Sequence, residues 1–474
     1  MNTWQNILYI VLSSIGFLVS IRFFFFVLMG TYQKNTDKRI LYSSLHDQLF
    51  FSILIPAKEE ASVITNTLKN MLQIQYSRNK QEIILITDQK ETIAHKNEST
   101  RKVVERWIEK NCNPTNSGKD KNQSFFEGDS FPSIYILDVP ITYDGTIPGS
   151  YKNQFIPSSK GRALNYALSV HSFSHPYHYC SFFDAETHAE ESIFSYIQEH
   201  TSKKEPLPVW QGPALQVRNF KHLSLFSKIA ALAQAFSHDY TLPSLLRWIP
   251  FLGGTNMHIP YSMIQDLHGF QATCATEDIE MGIRIWDQWN TIPKFLPIVC
   301  TEQTPANFRG YFVQRYRWGK GIIDVLLHAN KSFFHTPKER SWMLWKVFLL
   351  GPIEWYLYGI LSIFYLSHTL QKISVPISSF DVSYFLFLGT SIVFIQSLYL
   401  RYRRYMQYNK WSVCELFQFF LLTLYMVTVL PFFSFLYGLP FICGSLLSVY
   451  QKLQNKPYSA KREFWEKTPR TSEK

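Results

Sequence analysis

Short apolar runs alternate with helical stretches through the middle of this chain, and membrane-length apolar segments stand on either side. That arrangement constrains the fold more than any composition figure. Phe51–Ile55, Glu82–Thr87, Ser133–Val139 and Tyr179–Phe183 are short enough, and rich enough in apolar residues, to be buried strands. Glu60–Leu72, Lys160–Ser172 and Glu190–His200 have the character of intervening helices. Strand–helix alternation predicts a mostly parallel sheet covered on both faces. In such a sheet ligands bind beyond the C-terminal strand ends. Residues 111–130, rich in Asn, Ser, Gly, Lys and Asp, are expected to form a mobile surface loop.

The ends read differently. Residues 4–30 are apolar, interrupted by Arg22, and followed rather than preceded by Lys34, Lys38 and Arg39. A run longer than a signal-peptide core, with positive charge after it, predicts a retained helix and a cytoplasmic domain behind it. Met343–Leu366 and Tyr384–Leu400 are span-length, Arg401–Lys410 is a basic cytoplasmic loop, and Pro431 divides Cys414–Tyr450 into two short spans. Five spans are preferred, one before the central domain and four after; the alternative for the last stretch is one span plus a re-entrant or interfacial helix. Lys320–His335 reads as an amphipathic helix on the membrane surface.

The expected organisation is an N-terminal transmembrane helix (1–32), an α/β domain (45–320), an interfacial helix (321–341), transmembrane helices (342–450) and a basic cytoplasmic tail (451–474). Much of the +11 net charge lies next to apolar segments, which is the positive-inside pattern rather than a nucleic-acid face. The six cysteines form no CxxC pair, so neither a disulfide framework nor a structural zinc is expected.

Three short motifs carry candidate chemistry. Asp184-Ala185-Glu186 ends an apolar strand, where two carboxylates can hold a divalent ion against a diphosphate. The ordinary reading is a helix entry, because Thr187 and Glu190 make a capping-box pattern, but that leaves Asp184 and Glu186 unaccounted for. Thr276-Glu277-Asp278 opens a helical stretch and reads equally as a Thr cap with acids at the dipole's positive end. Gln314 and Arg317 share one helix face, and Arg317 with Trp318 could equally anchor a helix among lipid headgroups. His188 and His258 are given no role. No GxSxG elbow, HExxH or Walker loop is present.

In this order and setting, the three motifs resemble those of membrane-bound family 2 glycosyltransferases of the cellulose, chitin and hyaluronan synthase type. The resemblance covers about Phe51 to Gly321, and Phe464–Thr468 is similar to a short tail of bacterial relatives. It implies a GT-A, Rossmann-like α/β domain on the cytoplasmic face of the plasma (bacterial inner) membrane. It implies inverting transfer from a UDP-sugar to a hydroxyl, assisted by Mg²⁺ or Mn²⁺. Asp278 would be the base, with Glu277 beside it. Asp184 would touch the nucleotide sugar or metal, and Glu186 would ligate the metal. Arg317 would neutralise the leaving UDP, with Gln314 on the same face, and Trp318 would lie under the acceptor sugar.

The resemblance also places Pro56, Ala57 and Glu60 in the donor loop, where relatives more often read Pro-x-x-Asn-Glu and this chain has Glu59 for the Asn. Asp88 matches an Asp that reads uracil, with Gln89 in place of a second Asp, and Lys160 matches a Lys near the uridine. Gly253–Asn256 and Gln211-Gly212-Pro213 are similar to segments beside the acceptor, though turn-only readings hold as well. Implied partners are the nucleotide sugar, a glycan or lipid acceptor, membrane lipids, and export or regulatory subunits; nucleic acid is not among them. A polymer product is preferred over a glycolipid. A non-catalytic receptor or secretion partner keeping the same fold stays open.

Overall fold

The computed structural model describes residues 25, 28–30, 49–95, 98–112, 114–119, 122–128, 130–147, 149–152, 156–201, 206–328, 336–351, 353, 355–356, 392, 395–406, 412–429 and 434–454. The strands are β1 (Phe50–Pro56), β2 (Gln81–Asp88), β3 (Asn116–Lys119), β4 (Gln123–Gly128), β5 (Phe131–Val139), β6 (His178–Phe182), β7 (His188–Ala189), β8 (Trp210–Gln211), β9 (Ala214–Leu215), β10 (Met257–Pro260), β11 (Lys294–Phe295) and β12 (Cys300–Thr301). The longer helices are α1 (Ile64–Met71), α2 (Thr100–Asn111), α3 (Lys160–Val170), α4 (Ile193–His200), α5 (Leu225–Phe236), α6 (Glu277–Trp289), α7 (Phe308–His328), α8 (Pro337–Leu350), α9 (Val413–Thr428) and α10 (Leu439–Leu453).

The four runs expected to be strands form β1, β2, β5 and β6, each within two residues of its expected ends. They make the parallel centre of a nine-stranded mixed sheet, ordered β11-β8-β10-β6-β1-β2-β5-β4-β3. The chain steps outward from β1 through β2 to β5 and then returns to β6 on the other side of β1. The strand order therefore reverses between β1 and β6, the switch point outside whose carboxyl ends sheets of this kind take their ligands. Both faces of the centre are covered, which is why β2 and β6 are buried at every position. Phe51, Ile53 and Ile55 pack toward Phe194 on one face; Leu54, Ile84 and Ile86 pack toward Met257 and Ile285 on the other.

The expected loop at 111–130 is instead largely a hairpin. β3 and β4 pair antiparallel and extend the sheet beyond β5. Composition hides the reason: Ser124 and Phe126 alternate inward with period two inside a polar stretch.

Helix α1 starts four residues later than its apolar pattern suggests. Glu59 takes a left-handed backbone (φ 56°), and the Glu60 carbonyl accepts the Val63 and Ile64 N–H groups. Asn tolerates that backbone better than Glu does. Glu59→Asn should therefore stabilise the domain by roughly 0.5–1 kcal/mol. A thermal unfolding midpoint at or below wild type would contradict this.

Helix α7 carries Gln314, Arg317 and Trp318 and continues without a break past 321, where a separate interfacial helix was expected. It runs alongside α10 in the same direction: the Tyr311 hydroxyl donates to the Tyr437 carbonyl (2.9 Å), and Ser448 bonds Asp324. Arg401 and Arg403 of the expected basic loop are in ion pairs, Arg401 with Asp239 (2.8 Å) and Arg403 with Glu415 (2.6 Å). Among the described residues no helix is long and apolar enough to cross a membrane. Most of the expected span at 1–32, much of the expected spans at Met343–Leu366 and Tyr384–Leu400, and most of the tail at 451–474 lie outside the described residues.

Candidate active site

Beyond the end of β6 the chain turns sharply. The Thr187 hydroxyl accepts the Asp184 N–H (3.1 Å), contacts the Thr255 hydroxyl (3.0 Å) and donates to Glu302 Oε1 (2.7 Å). The capping box does not form: α4 starts at Ile193 with Ser192 before it and no side-chain cap. Thr187 is used instead to bring Glu302 to the strand end. Carboxylate oxygens of Asp184, Glu186 and Glu302 then lie within 4.8 Å of one another. Glu186 and Glu302 are buried and Asp184 is part-exposed. Burial, and then the Asp184 charge, pushes the Glu302 carboxyl above its usual range. Crowded, partly buried oxygen ligands of one sign fit a hard divalent cation such as Mg²⁺ or Mn²⁺. Glu302 was not among the candidates read from sequence. It follows the two-residue strand β12, far from Asp184 in the chain, and no local spacing marks it.

Lys160, the first residue of α3, is the hub of the site. Its ammonium pairs with Asp184 and donates to the Gly254 carbonyl (2.6 Å). Burial alone would lower this ammonium's pKa. The Asp184, Glu277 and Asp278 charges outweigh burial and hold it raised. Gly254 has φ 78°, and a Cβ there would sit 2.8 Å from Asp278 Oδ2 and 3.4 Å from Lys160 Nζ. The loop expected beside the acceptor thus lies against the expected base. Gly254→Ala should lower transfer by about 10²-fold, because it strains the backbone and displaces Asp278. Unchanged turnover would show that this contact is not needed.

Glu277 and Asp278 occupy the first turn of α6, but Thr276 makes no side-chain cap. Burial, and then the Asp278 charge, pushes the Glu277 carboxyl up to about 8. Burial likewise pushes Asp278 up, to about 6, with Lys160 opposing it. Both adjacent carboxyls are therefore held above the usual carboxylate range beside one buried ammonium, a pattern expected of an acid–base site.

Across the switch point lie the residues expected to form the donor loop. Pro56 ends β1, the Ala57 N–H donates to the Ile86 carbonyl (2.8 Å), and the Glu60 N–H donates to Thr100 Oγ1 (2.8 Å). Asp88 ends β2 and accepts the Ser158 hydroxyl (2.6 Å) and the Lys90 N–H (3.0 Å), with Arg162 Nη1 at 3.5 Å.

On the other side, Gln211 joins the two glycine-containing segments: its Nε2 donates to the Gly212 and Thr255 carbonyls, and its Oε1 accepts the Gly253 N–H. Asn256 bonds the Pro213 and Ile298 carbonyls (3.0 Å each). These segments are one braced wall rather than separate turns. His258 bonds Ser181 and Asn256, and burial pushes its pKa down to about 3, so it is a neutral structural residue.

Helix α7 reaches the site through Gly321, where a Cβ would meet Thr276 Cγ2 at 2.5 Å. Gln314 and Arg317 are on the same face, two turns and one turn earlier. Gln314 is buried, and Arg317 and Trp318 are part-buried.

A family model described as Glycosyl transferase family group 2 matches residues 181–450, more than half of the chain. The chain belongs to this family. The matched stretch includes the three carboxylates, the Glu277–Asp278 pair and all of α7. The glycosyltransferase is 22% identical over 298 residues to the probable glycosyltransferase YdaM of Bacillus subtilis (strain 168), an alignment covering 61% of this chain but only 59% of that protein. It is also 22% identical over 393 residues to a poly-beta-1,6-N-acetyl-D-glucosamine synthase of Staphylococcus epidermidis, covering 82% of this chain and 81% of that one. The solved mannosyltransferase PcManGT from Pyrobaculum calidifontis, in complex with GDP-Man and Mn²⁺, superposes with a TM-score of 0.50 at 12% identity, covering 93% of this chain and 99% of that one. That likeness shows a shared GT-A-like α/β fold.

Proposed function

We propose that this glycosyltransferase moves a sugar, with inversion, from a UDP-sugar to a hydroxyl of a growing polysaccharide at the cytoplasmic face of the plasma membrane. The observation that carries the proposal is the convergence on Lys160: Asp184 from the end of β6, Gly254 from the braced wall and Asp278 from α6 meet at one ammonium. That meeting point lies by the crevice where such sheets take their ligands.

In this reading Asp278 accepts the proton of the acceptor hydroxyl as its oxygen attacks the anomeric carbon. The bond to the UDP oxygen breaks in the same displacement, so no enzyme nucleophile is required. Glu277, its carboxyl raised by burial and by the Asp278 charge, lies beside the base. Lys160 and Arg317 supply positive charge to the departing diphosphate. A divalent ion held by Asp184, Glu186 and Glu302 would add charge neutralisation at that diphosphate.

Asp278 must be ionised to act, and its pKa is raised to about 6. Turnover should therefore fall as pH drops through about 6 and level off above it. A pH–rate profile at saturating donor checks this, and a flat profile from pH 5 to 8 would contradict it.

Membrane attachment is supported by large apolar side chains exposed on the C-terminal helices, including Trp342, Trp345, Phe417, Phe420, Leu446 and Leu453. The name of the staphylococcal relative favours a polymer over a glycolipid. Membranes containing the chain, supplied with Mn²⁺ and a panel of UDP-sugars, should release UDP with one donor above the rest. A polymer would appear in the medium and a glycolipid in the membrane extract. Membranes that bind and turn over no nucleotide sugar would overturn the proposal and favour a receptor. Export or regulatory subunits are expected partners of a polymer synthase, and co-purification tests that expectation.

A further inference from the structure

Helix α7 carries a second cation two residues before Arg317, and its surroundings are unusual. Arg315 is 1% exposed, and its Nε and Nη1 have no hydrogen-bond partner among the described residues. Its guanidinium carbon lies 3.8 Å from the centre of the Trp318 ring and 5.2 Å from the centres of both the Tyr311 and Trp355 rings. Tyr311, Arg315 and Trp318 follow one another at helical spacings of four and three, so they form a column on one face. The Tyr311 hydroxyl is itself fixed on the Tyr437 carbonyl (2.9 Å), which braces the base of the column.

A buried guanidinium with unmade hydrogen bonds is costly in a core. Packing alone does not call for it, since Met or Leu would fill the space without charge. A planar cation does supply one thing those residues lack. It stacks flat on an indole, strongly when water is excluded, and fixes the orientation of the ring. Along the helix, Trp318 stands between the Arg315 side and the Gln314–Arg317 face that meets the Thr276–Asp278 segment. Arg315 therefore holds Trp318 from the side away from the reacting groups.

We propose that Arg315 is a positioning residue: stacked against Trp318, it sets the ring on which the acceptor pyranose lies. This rests on the reading of Trp318 as the acceptor's platform. Arg315 then governs how well donor cleavage is coupled to transfer, and leaves donor binding alone.

The test uses the full chain in membranes, the UDP-sugar found active with wild type, and four variants: Arg315→Met, Arg315→Lys, Trp318→Ala and the double Arg315→Met/Trp318→Ala. UDP binding, UDP release and label incorporated into product are measured together. Arg315→Met should bind UDP within about twofold of wild type and lower the fraction of released UDP matched by transferred sugar about tenfold. Arg315→Lys, which keeps charge without a stacking plane, should fall between the two. Adding Arg315→Met to Trp318→Ala should change nothing further, because the ring to be positioned is gone. Multiplicative losses in the double variant, or weakened UDP binding in Arg315→Met, would overturn the inference. If Arg315→Met does not accumulate, Arg315→Lys bears the same comparison. Wild type that transfers sugar while the Arg315 variants stay fully coupled refutes this role alone, whereas wild type that binds no nucleotide sugar refutes the proposed function.

Discussion

Asp278→Asn is expected to reduce sugar transfer by about 10²–10⁴-fold while leaving nucleotide-sugar binding nearly intact. The substitution preserves shape. The new side chain still presents an oxygen to the Ile279 N–H, now held by Asp278 Oδ1 at 2.9 Å. Lys160 keeps its bonds to Asp184 and to the Gly254 carbonyl. What is lost is the capacity to take a proton. Glu277→Gln makes the contrasting case. Burial and the neighbouring Asp278 charge push the Glu277 carboxyl above its usual range, so Gln, neutral and of the same shape, changes its character less than Asn changes that of Asp278. Its cost should stay below about tenfold at pH 7, well short of the Asp278 effect. Equal losses in the two variants would mean that Glu277 acts as a charge, or that the base is misassigned.

Removing the metal, or one of its ligands, should produce the second large effect. The readout should be binding rather than turnover. With Mn²⁺ present, UDP should bind and stabilise the protein against heat; a chelator should abolish that stabilisation without unfolding the domain. Glu302→Gln keeps an oxygen for the Thr187 hydroxyl but deletes one of the three converging charges. Mn²⁺ affinity should fall at least about 10–100-fold, the cost ordinarily seen even for outer-shell partners. Asp184→Asn should do the same and also weaken the hold on Lys160. Unaltered Mn²⁺ affinity in Glu302→Gln would reduce the site to the two carboxylates of the Asp-x-Glu motif.

The sequence and the structure part company in instructive places. Strands β1, β2, β5 and β6 were legible because strands buried on both faces must be apolar at nearly every position. The β3–β4 hairpin was not, because a hairpin at the end of the sheet buries only Ser124 and Phe126 of β4. Thr187 and Glu190 have the spacing of a capping box, yet Thr187 spends its hydroxyl on a residue over a hundred positions away. The pattern was local and the competing partner was not. Glu302 escaped for the same reason: a lone carboxylate after a two-residue strand acquires meaning only when β12 is laid beside β7 and β9. Glu59 was visible as a departure from the donor-loop pattern, but its left-handed backbone became apparent only with the fold. Asp184, at the end of a buried strand, was legible because helix capping left its charge unaccounted for, whereas Asp88 was marked only by the resemblance.

The most direct test is a structure of the protein with UDP and Mn²⁺, with the ion located by anomalous scattering. The account predicts one Mn²⁺ bound by Asp184, Glu186 and Glu302, the diphosphate between it and Lys160, and Asp278 facing the open end of the crevice where a sugar would sit. An ion bound elsewhere, or a nucleotide whose diphosphate lies away from Lys160 and Asp278, would contradict it.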